Sequence, residues 1–159
     1  MKVGVISDTH IPTAAVSLPA KVFEVFKGVD MIIHAGDIVE LSVIDELMAI
    51  APVEAVAGNM DSWEVRRKLP AKKVLTIGKY RVGLIHGKFK IDVQREMIRK
   101  EFDDVDIIVY GHSHRPFWGR VGDVYFLNPG SPTDTVHAPF HSVAILVAGE
   151  EPKAEIVMI

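Results

Sequence analysis

The chain reads as a mixed α/β protein with two packed sheets and helices outside them. Two observations predict this. Short apolar, β-branched runs recur along the chain, and between residues 2 and 57 they alternate with helix-spaced segments. That β-α-β-α-β order is the signature of a parallel sheet covered by helices. The second half changes character, with a hairpin, one further helix and a β-rich tail.

Each element has a local reason. "KVGVIS" at the start is a buried strand. Residues 18–27, "LPAKVFEVFK", carry helical spacing in Val22, Phe23 and Phe26, with Ser17 as the N-cap and Gly28 as the stop. "MIIHA" is a second buried strand, Ser42 caps a helix that runs through Ala49, and "VEAVA" is a third strand. "KKVLTIG" and "YRVGLIH" face each other across a turn at Gly78 and Lys79. Asp92 to Glu101 is spaced as a helix, and "DIIVY", "VYFLN", "SVAILV" and "AEIVM" are strands.

Composition narrows the function classes. With 159 residues, 48% apolar and 25% charged, the chain fits one soluble domain spanning 1–159. A net charge of −3 gives no broad basic surface, so bulk nucleic-acid binding is not expected. No apolar run approaches the ~18 residues of a membrane span, and "MKVGVISDTH" is broken too early by Ser7 and Asp8 to serve as a signal peptide. The absence of cysteine excludes disulfides, thiolate metal ligands and a cysteine nucleophile, and suits a cytoplasmic setting. Neither G-x-S-x-G nor the P-loop pattern occurs.

The chemistry-bearing residues sit where strands end. Asp8 and His10 follow the first strand, Asp37 the second and Asn59 the third. His86 ends "VGLI", and His112 and His114 follow "DIIVY" through Gly111. If the backbone after Gly111 stays extended, the two histidines face the same way. Open α/β sheets bind ligands outside the carboxyl ends of their strands, so these exits could share one edge. Two aspartates, one asparagine and four histidines, without cysteine, form an oxygen–nitrogen donor set. It suits Mn²⁺ first, with Ni²⁺, Co²⁺, Fe²⁺ or Zn²⁺ also accommodated, better than Ca²⁺ or Mg²⁺. Seven donors exceed what one catalytic ion with an open position needs. They match two divalent metal ions if one carboxylate bridges. Two such ions against Asp8 and Asp37 leave surplus positive charge, which favours a hydroxide and an anionic phosphate ester.

"DTH", "GD", "GN", "IHG" and "GHSH" occur in an order and spacing that resemble the calcineurin-like metallophosphoesterase superfamily. Length and "LNPGS" further resemble its small, single-domain prokaryotic phosphodiesterases. The resemblance runs from Lys2 to about Ser131. It implies a four-layer αββα sandwich with the metal site at the carboxyl ends of the strands. It implies that Asp8, His10 and His114 bind one metal and Asn59, His86 and His112 the other, with Asp37 bridging, all seven being catalytic. It implies a dimetal-dependent hydrolase acting on a small phosphodiester substrate by attack of a metal-bridging hydroxide. Many small relatives carry H-G-H where this chain has His86-Gly87-Lys88, which bears on substrate preference more than on metal binding.

Two alternatives carry weight. "SLPAK" and "GLIHG" also resemble a eukaryotic trafficking subunit that acts as a protein-binding scaffold of the same fold. A nuclease of the same superfamily is the other, but a short chain leaves little room for a DNA-binding cap. The complete donor set favours catalysis over scaffolding. A homo-oligomer is compatible with the sequence.

Outside the motif set, Arg115 and Lys88 are candidate substrate contacts, through guanidinium–phosphate pairing and a point charge. His34, inside an apolar strand, is structural. His137 and His141 fall on a surface loop, and Asn128 either lends amides near the site or serves a turn, the two readings explaining it equally well. Asp61 caps the segment "SWEVRR", whose Arg66, Arg67 and Lys68 form a solvated face.

Overall fold

The computed structural model describes residues 1–88 and 94–159. Ten strands among the described residues form two five-stranded sheets. The first contains β1 (Lys2–Ile6), β2 (Met31–His34), β3 (Val53–Ala55), β9 (Ser142–Ala148) and β10 (Pro152–Met158), in the order β10-β9-β1-β2-β3. Strands β1, β2 and β3 run parallel, β9 pairs antiparallel with β1, and β10 pairs antiparallel with β9. The second contains β4 (Lys72–Ile77), β5 (Tyr80–Ile85), β6 (Ile107–Val109), β7 (Phe117–Val121) and β8 (Val124–Asn128), in the order β4-β5-β6-β8-β7. Here β5, β6 and β8 are parallel.

Side-chain alternation builds the four layers. Val3 and Val5 of β1 meet Val82 and Leu84 of β5 and Ile107 and Val109 of β6 in a core between the sheets. Ile6 and Ile32 face the other way, onto α1 (Ala20–Val25), α2 (Ser42–Met48) and α3 (Trp63–Lys68), through Val22, Leu47 and Val65. On the far side Ile108 and Tyr110 pack with Ile98 of α4 (Gln94–Arg99) and with Phe102. The αββα sandwich is therefore observed.

Both outer layers use the same device. Gly4 in β1 and Gly83 in β5 each lie under a phenylalanine, Phe26 and Phe102, so close that a Cβ would stand 2.9 Å and 3.0 Å from the ring. A side chain there would push the helix off its sheet.

Several local expectations change. Ser17 does not cap α1: the helix starts after Pro19, with no side-chain cap bond. Val22 and Phe26 are buried, but Phe23 faces solvent, because a one-turn-wide contact accepts residues four apart and leaves the third outside. Ser42 is the first helical residue of α2, after Leu41. Asp61 does not cap α3, since the neighbouring Ser62 does so by accepting from the Val65 amide at 3.4 Å. Strand β7 was unforeseen in "FWGRV", where Pro116 precedes it and Gly119 interrupts the apolar pattern. The expected helix from Asp92 has its first two positions outside the described residues. Among the described residues no helix is long and apolar enough to cross a membrane.

Phe26→Ala should lower unfolding free energy by about 3–5 kcal/mol, because it empties a fully buried site over a glycine that cannot refill it. Urea denaturation of the two proteins measures this. A loss below about 1 kcal/mol would show that the layer closes over the gap.

Candidate metal centre

Strands β1, β2, β3, β5 and β6 all send their carboxyl ends to one edge, where the two sheets are stitched together. The His86 Nδ1–H donates to the Ala35 carbonyl at 2.8 Å, and the His112 amide reaches both carboxylate oxygens of Asp8, at 3.2 and 3.1 Å. Seven residues from five strand exits thus become neighbours.

The backbone at this edge is unusual. Six described non-glycine residues have positive φ: Asp8, His10, Asp37, Val39, His112 and His114. Such conformations cost on the order of 1–3 kcal/mol each and persist only where the surroundings enforce them. All but Val39 belong to the expected donor set. Gly36 shares the left-handed region, at φ 90°, directly before Asp37. Gly58 and Gly111 have another role: a Cβ on either would collide with the carboxylate of Asp37 or with Ser7 and Asp8.

The donors fall into two groups, Asp8 with His10 and His114, and Asp37 with His86 and His112. His112 and His114 therefore do not face the same way. The chain leaves extended geometry at both, with φ of 70° and 55°, and the turn deals them to different groups. Their ring partners differ accordingly, with His114 5.1 Å from His10 and His112 5.3 Å from His86. Asn59 joins the second group, its Oδ1 lying 3.1 Å from His86 Nε2 and 3.0 Å from His112 Nδ1. Asp37 stands between the groups, with Oδ2 3.2 Å from His86 Nε2 and 3.6 Å from His10 Nε2. Its Oδ1 accepts from the Met60 amide at 2.7 Å.

Charge explains why these groups tolerate burial. Burial alone would raise the Asp37 pKa, but the hydrogen bond and charge of His86 and the Met60 amide bring it below its ordinary value. His86 is the complement: burial opposes its cationic form, yet Asp37, Asp8 and the Ala35 carbonyl raise its pKa. His114 behaves likewise, held at about 9 against burial by hydrogen bonds and charge from Asp8 and Asp134. His112 is lowered, by burial and by the nearby His86. The carboxylates thus favour positive charge on His86 and His114, and divalent cations would supply the same charge. Donor chemistry, convergence and charge all fit two such ions.

The supporting residues were mostly invisible in the sequence. Asp134 accepts from His114 Nδ1 at 2.6 Å and from the amides of Val136, His137 and Ala138 at 3.0, 2.9 and 2.8 Å. That fixes the ring with Nε2 facing Asp8. Ser131 and Thr133 donate to the carbonyls of Asp8 and Thr9, both at 2.7 Å. Of the two readings of Asn128 the one near the site holds: its amide group donates to the Gly111 carbonyl at 3.1 Å and to Ser113 Oγ at 3.0 Å. Asp61 ties two strand exits together by accepting from the Val39 and Gly58 amides, both at 2.6 Å. Arg66 is exposed, as expected of a solvated face, and it also donates to the Asp61 and Asn59 carbonyls at 2.8 and 2.5 Å. The one sequence signal was the density of Ser, Thr, Asn and Asp after β8.

Other expectations resolve individually. His34 is structural: Nδ1 accepts from the Gly36 amide at 3.2 Å, Nε2 faces Thr9 Oγ1 at 3.1 Å, and burial drops its pKa to about 3. His137 is exposed but leans its ring against His114, 5.8 Å between centroids. His141 contributes backbone bonding next to β9. Arg115 is exposed directly after His114, and Lys88 lines a cavity that starts at Asn59 and His86.

Comparison with known proteins places this geometry. The model of the calcineurin-like phosphoesterase superfamily domain matches residues 1–151. A probable metallophosphoesterase of Methanothermobacter thermautotrophicus is 39% identical over 159 residues, covering 99% of this chain and 92% of the relative. A solved archaeal phosphodiesterase superposes with a TM-score of 0.77 at 27% identity, covering 99% of this chain and 100% of the other. Vps29 of Entamoeba histolytica, solved in complex with Zn²⁺, gives 0.79 at 29% identity, with 99% of each chain covered.

Two outcomes follow from the site. Asp134→Ala should leave the fold intact and weaken metal uptake by about 10–100-fold, the usual cost of removing the carboxylate behind a ligating histidine. Calorimetric titration of metal-free protein checks it, and an unchanged affinity would remove Asp134 from the site. Metal uptake at neutral pH should also release a proton from His114, so apparent affinity should climb as pH rises towards about 9. Equal affinities at pH 6.5 and 8.5 would contradict this, those two values being chosen roughly either side of neutrality.

Proposed function

The chain belongs to the calcineurin-like phosphoesterase superfamily, and we propose from that premise that it is a dimetal-dependent phosphodiesterase acting on a small phosphodiester. One observation carries the reading: seven oxygen and imidazole donors from five strand exits converge in two groups, with the Asp37 carboxylate between them. A scaffold has no need of a backbone held at positive φ under five of those seven side chains. The metallophosphoesterase and phosphodiesterase among the similar proteins support the same class.

In this reading Asp8, His10 and His114 would hold one divalent ion and Asn59, His86 and His112 the other, with Asp37 available to both. Mn²⁺ is the first choice for such donors, with Ni²⁺, Co²⁺, Fe²⁺ or Zn²⁺ as substitutes. When bound, the ions would supply positive charge for phosphoryl oxygens and lower the pKa of water. The chain's residues do the rest. Asp134 and the Ala35 carbonyl orient His114 and His86 through their Nδ1 atoms, leaving each Nε2 directed inward. Asp61 and Arg66 keep the Asp37 and Asn59 exits in register. Arg115 and Lys88 lie at the rim, where they would meet the anionic ester. The domain spans 1–159, and the cysteine-free composition supports a cytoplasmic setting.

A protein-sorting role is the second reading, favoured by the likeness to Vps29. The two separate on one experiment. Metal-stripped protein should regain hydrolysis of bis-p-nitrophenyl phosphate on adding Mn²⁺. Asp37→Asn should then lose more than about 100-fold in kcat, beyond the usual cost of a supporting residue, whereas Asp61→Ala should lose less. Unchanged activity after verified stripping, or two ions and near-normal kcat in Asp37→Asn, would overturn the proposal.

A further inference from the structure

We propose that the cavity beside Asn59 and His86 is a subsite for the organic arm of the phosphoester and selects a ring-sized apolar group over a small alkyl group. This deepens the phosphodiesterase reading and rests on it. The cavity has a volume of about 410 Å³, within the range of small-molecule sites. It starts at Asn59 and His86, so an ester whose phosphoryl group lies among the donors extends one arm into it.

The wall chemistry decides what that arm is. Ala57, Leu69, Ala71 and Ile85 give apolar surfaces that a methyl or other small group would leave wet, and that a flat ring would cover. The cationic groups are exposed, at the rim. Arg66 is held by the carbonyls of Asn59 and Asp61, and Lys72 by Glu101 at 3.0 Å. Among the described lining residues Arg66, Lys72 and Lys88 are cationic and Glu101 is anionic, a rim that suits an anionic ester, while the interior accepts an apolar arm. Because Arg66 grips the backbone of Asn59 itself, the cavity wall and the donor group are one rigid piece.

Phenylphosphonate and methylphosphonate form a matched pair of probes, with the same charged head, different arms and a P–C bond that does not hydrolyse. Calorimetric titration of the Mn²⁺-loaded protein should give phenylphosphonate about tenfold tighter binding or better, the factor expected for partial burial of one ring. Ala71 is exposed and is not one of the donors, so substitution there fills the cavity without altering a donor side chain. Ala71→Trp should abolish the preference and keep methylphosphonate affinity. Ala71→Gln, which adds bulk without a ring that could stack on the ligand, should reduce it. Equal affinities in the wild-type protein, or a preference that survives both substitutions, would overturn the subsite. Hydrolysis of bis-p-nitrophenyl phosphate is read separately: a protein that prefers phenylphosphonate yet cleaves no diester keeps the subsite and loses the phosphodiesterase reading.

Discussion

Two carboxylates, Asp8 and Asp37, are sunk almost out of solvent where the carboxyl edges of both sheets meet. Buried charge is tolerated only when it is paired and hydrogen-bonded. Much of the architecture around them answers that constraint. The Met60 and His112 amides bond the two carboxylates directly, and imidazoles from both sheets stand within 4 Å. The bonds that relieve the charge also join the sheets, since the His112 amide belongs to the second sheet's edge and Asp8 to the first.

Backbone strain is the counterpart of that arrangement. Five of the donors sit at positive φ, a cost that the loops alone would shed by relaxing. They are kept there by a surrounding layer of hydrogen bonds. Ser131 and Thr133 hold the β1 exit, Asn128 holds the loop after β6, and Asp61 holds the exits of β2 and β3 together. The apolar cores beneath are rigid for their own reasons, with each outer layer locked by a phenylalanine over a strand glycine. A centre built this way is pre-organised, so little reorganisation is left for the moment when charge develops on a bound ester.

The family resemblance leaves a division between catalysis and protein sorting, because chains of both kinds superpose on this one over nearly their whole length. Fold cannot separate them, since functions are grafted onto shared folds. The donor set, the strained backbone beneath it and the apolar cavity beside it are local features, and the phosphodiesterase proposal rests on them rather than on the fold.

The sequence by itself determined the strand exits, the donor residues and the layered α/β class. These depend on short-range signals: β-branched runs, helical spacing and glycine before a polar residue, all within a few positions. It also marked His34 as structural, because an apolar strand surrounds it. The family resemblance implied which donors share a group, but the residue pattern read by itself did not, and it is the tertiary structure that brings each group together. His112 and His114 are separated by one residue, yet a left-handed turn sends them to different partners, and no local pattern encodes that. Asp134, Asp61 and Arg66 were undetectable for a related reason. Each bonds backbone atoms or a ring that the chain brings near only after the sheets close, and polar residues in a loop look alike until their acceptors arrive.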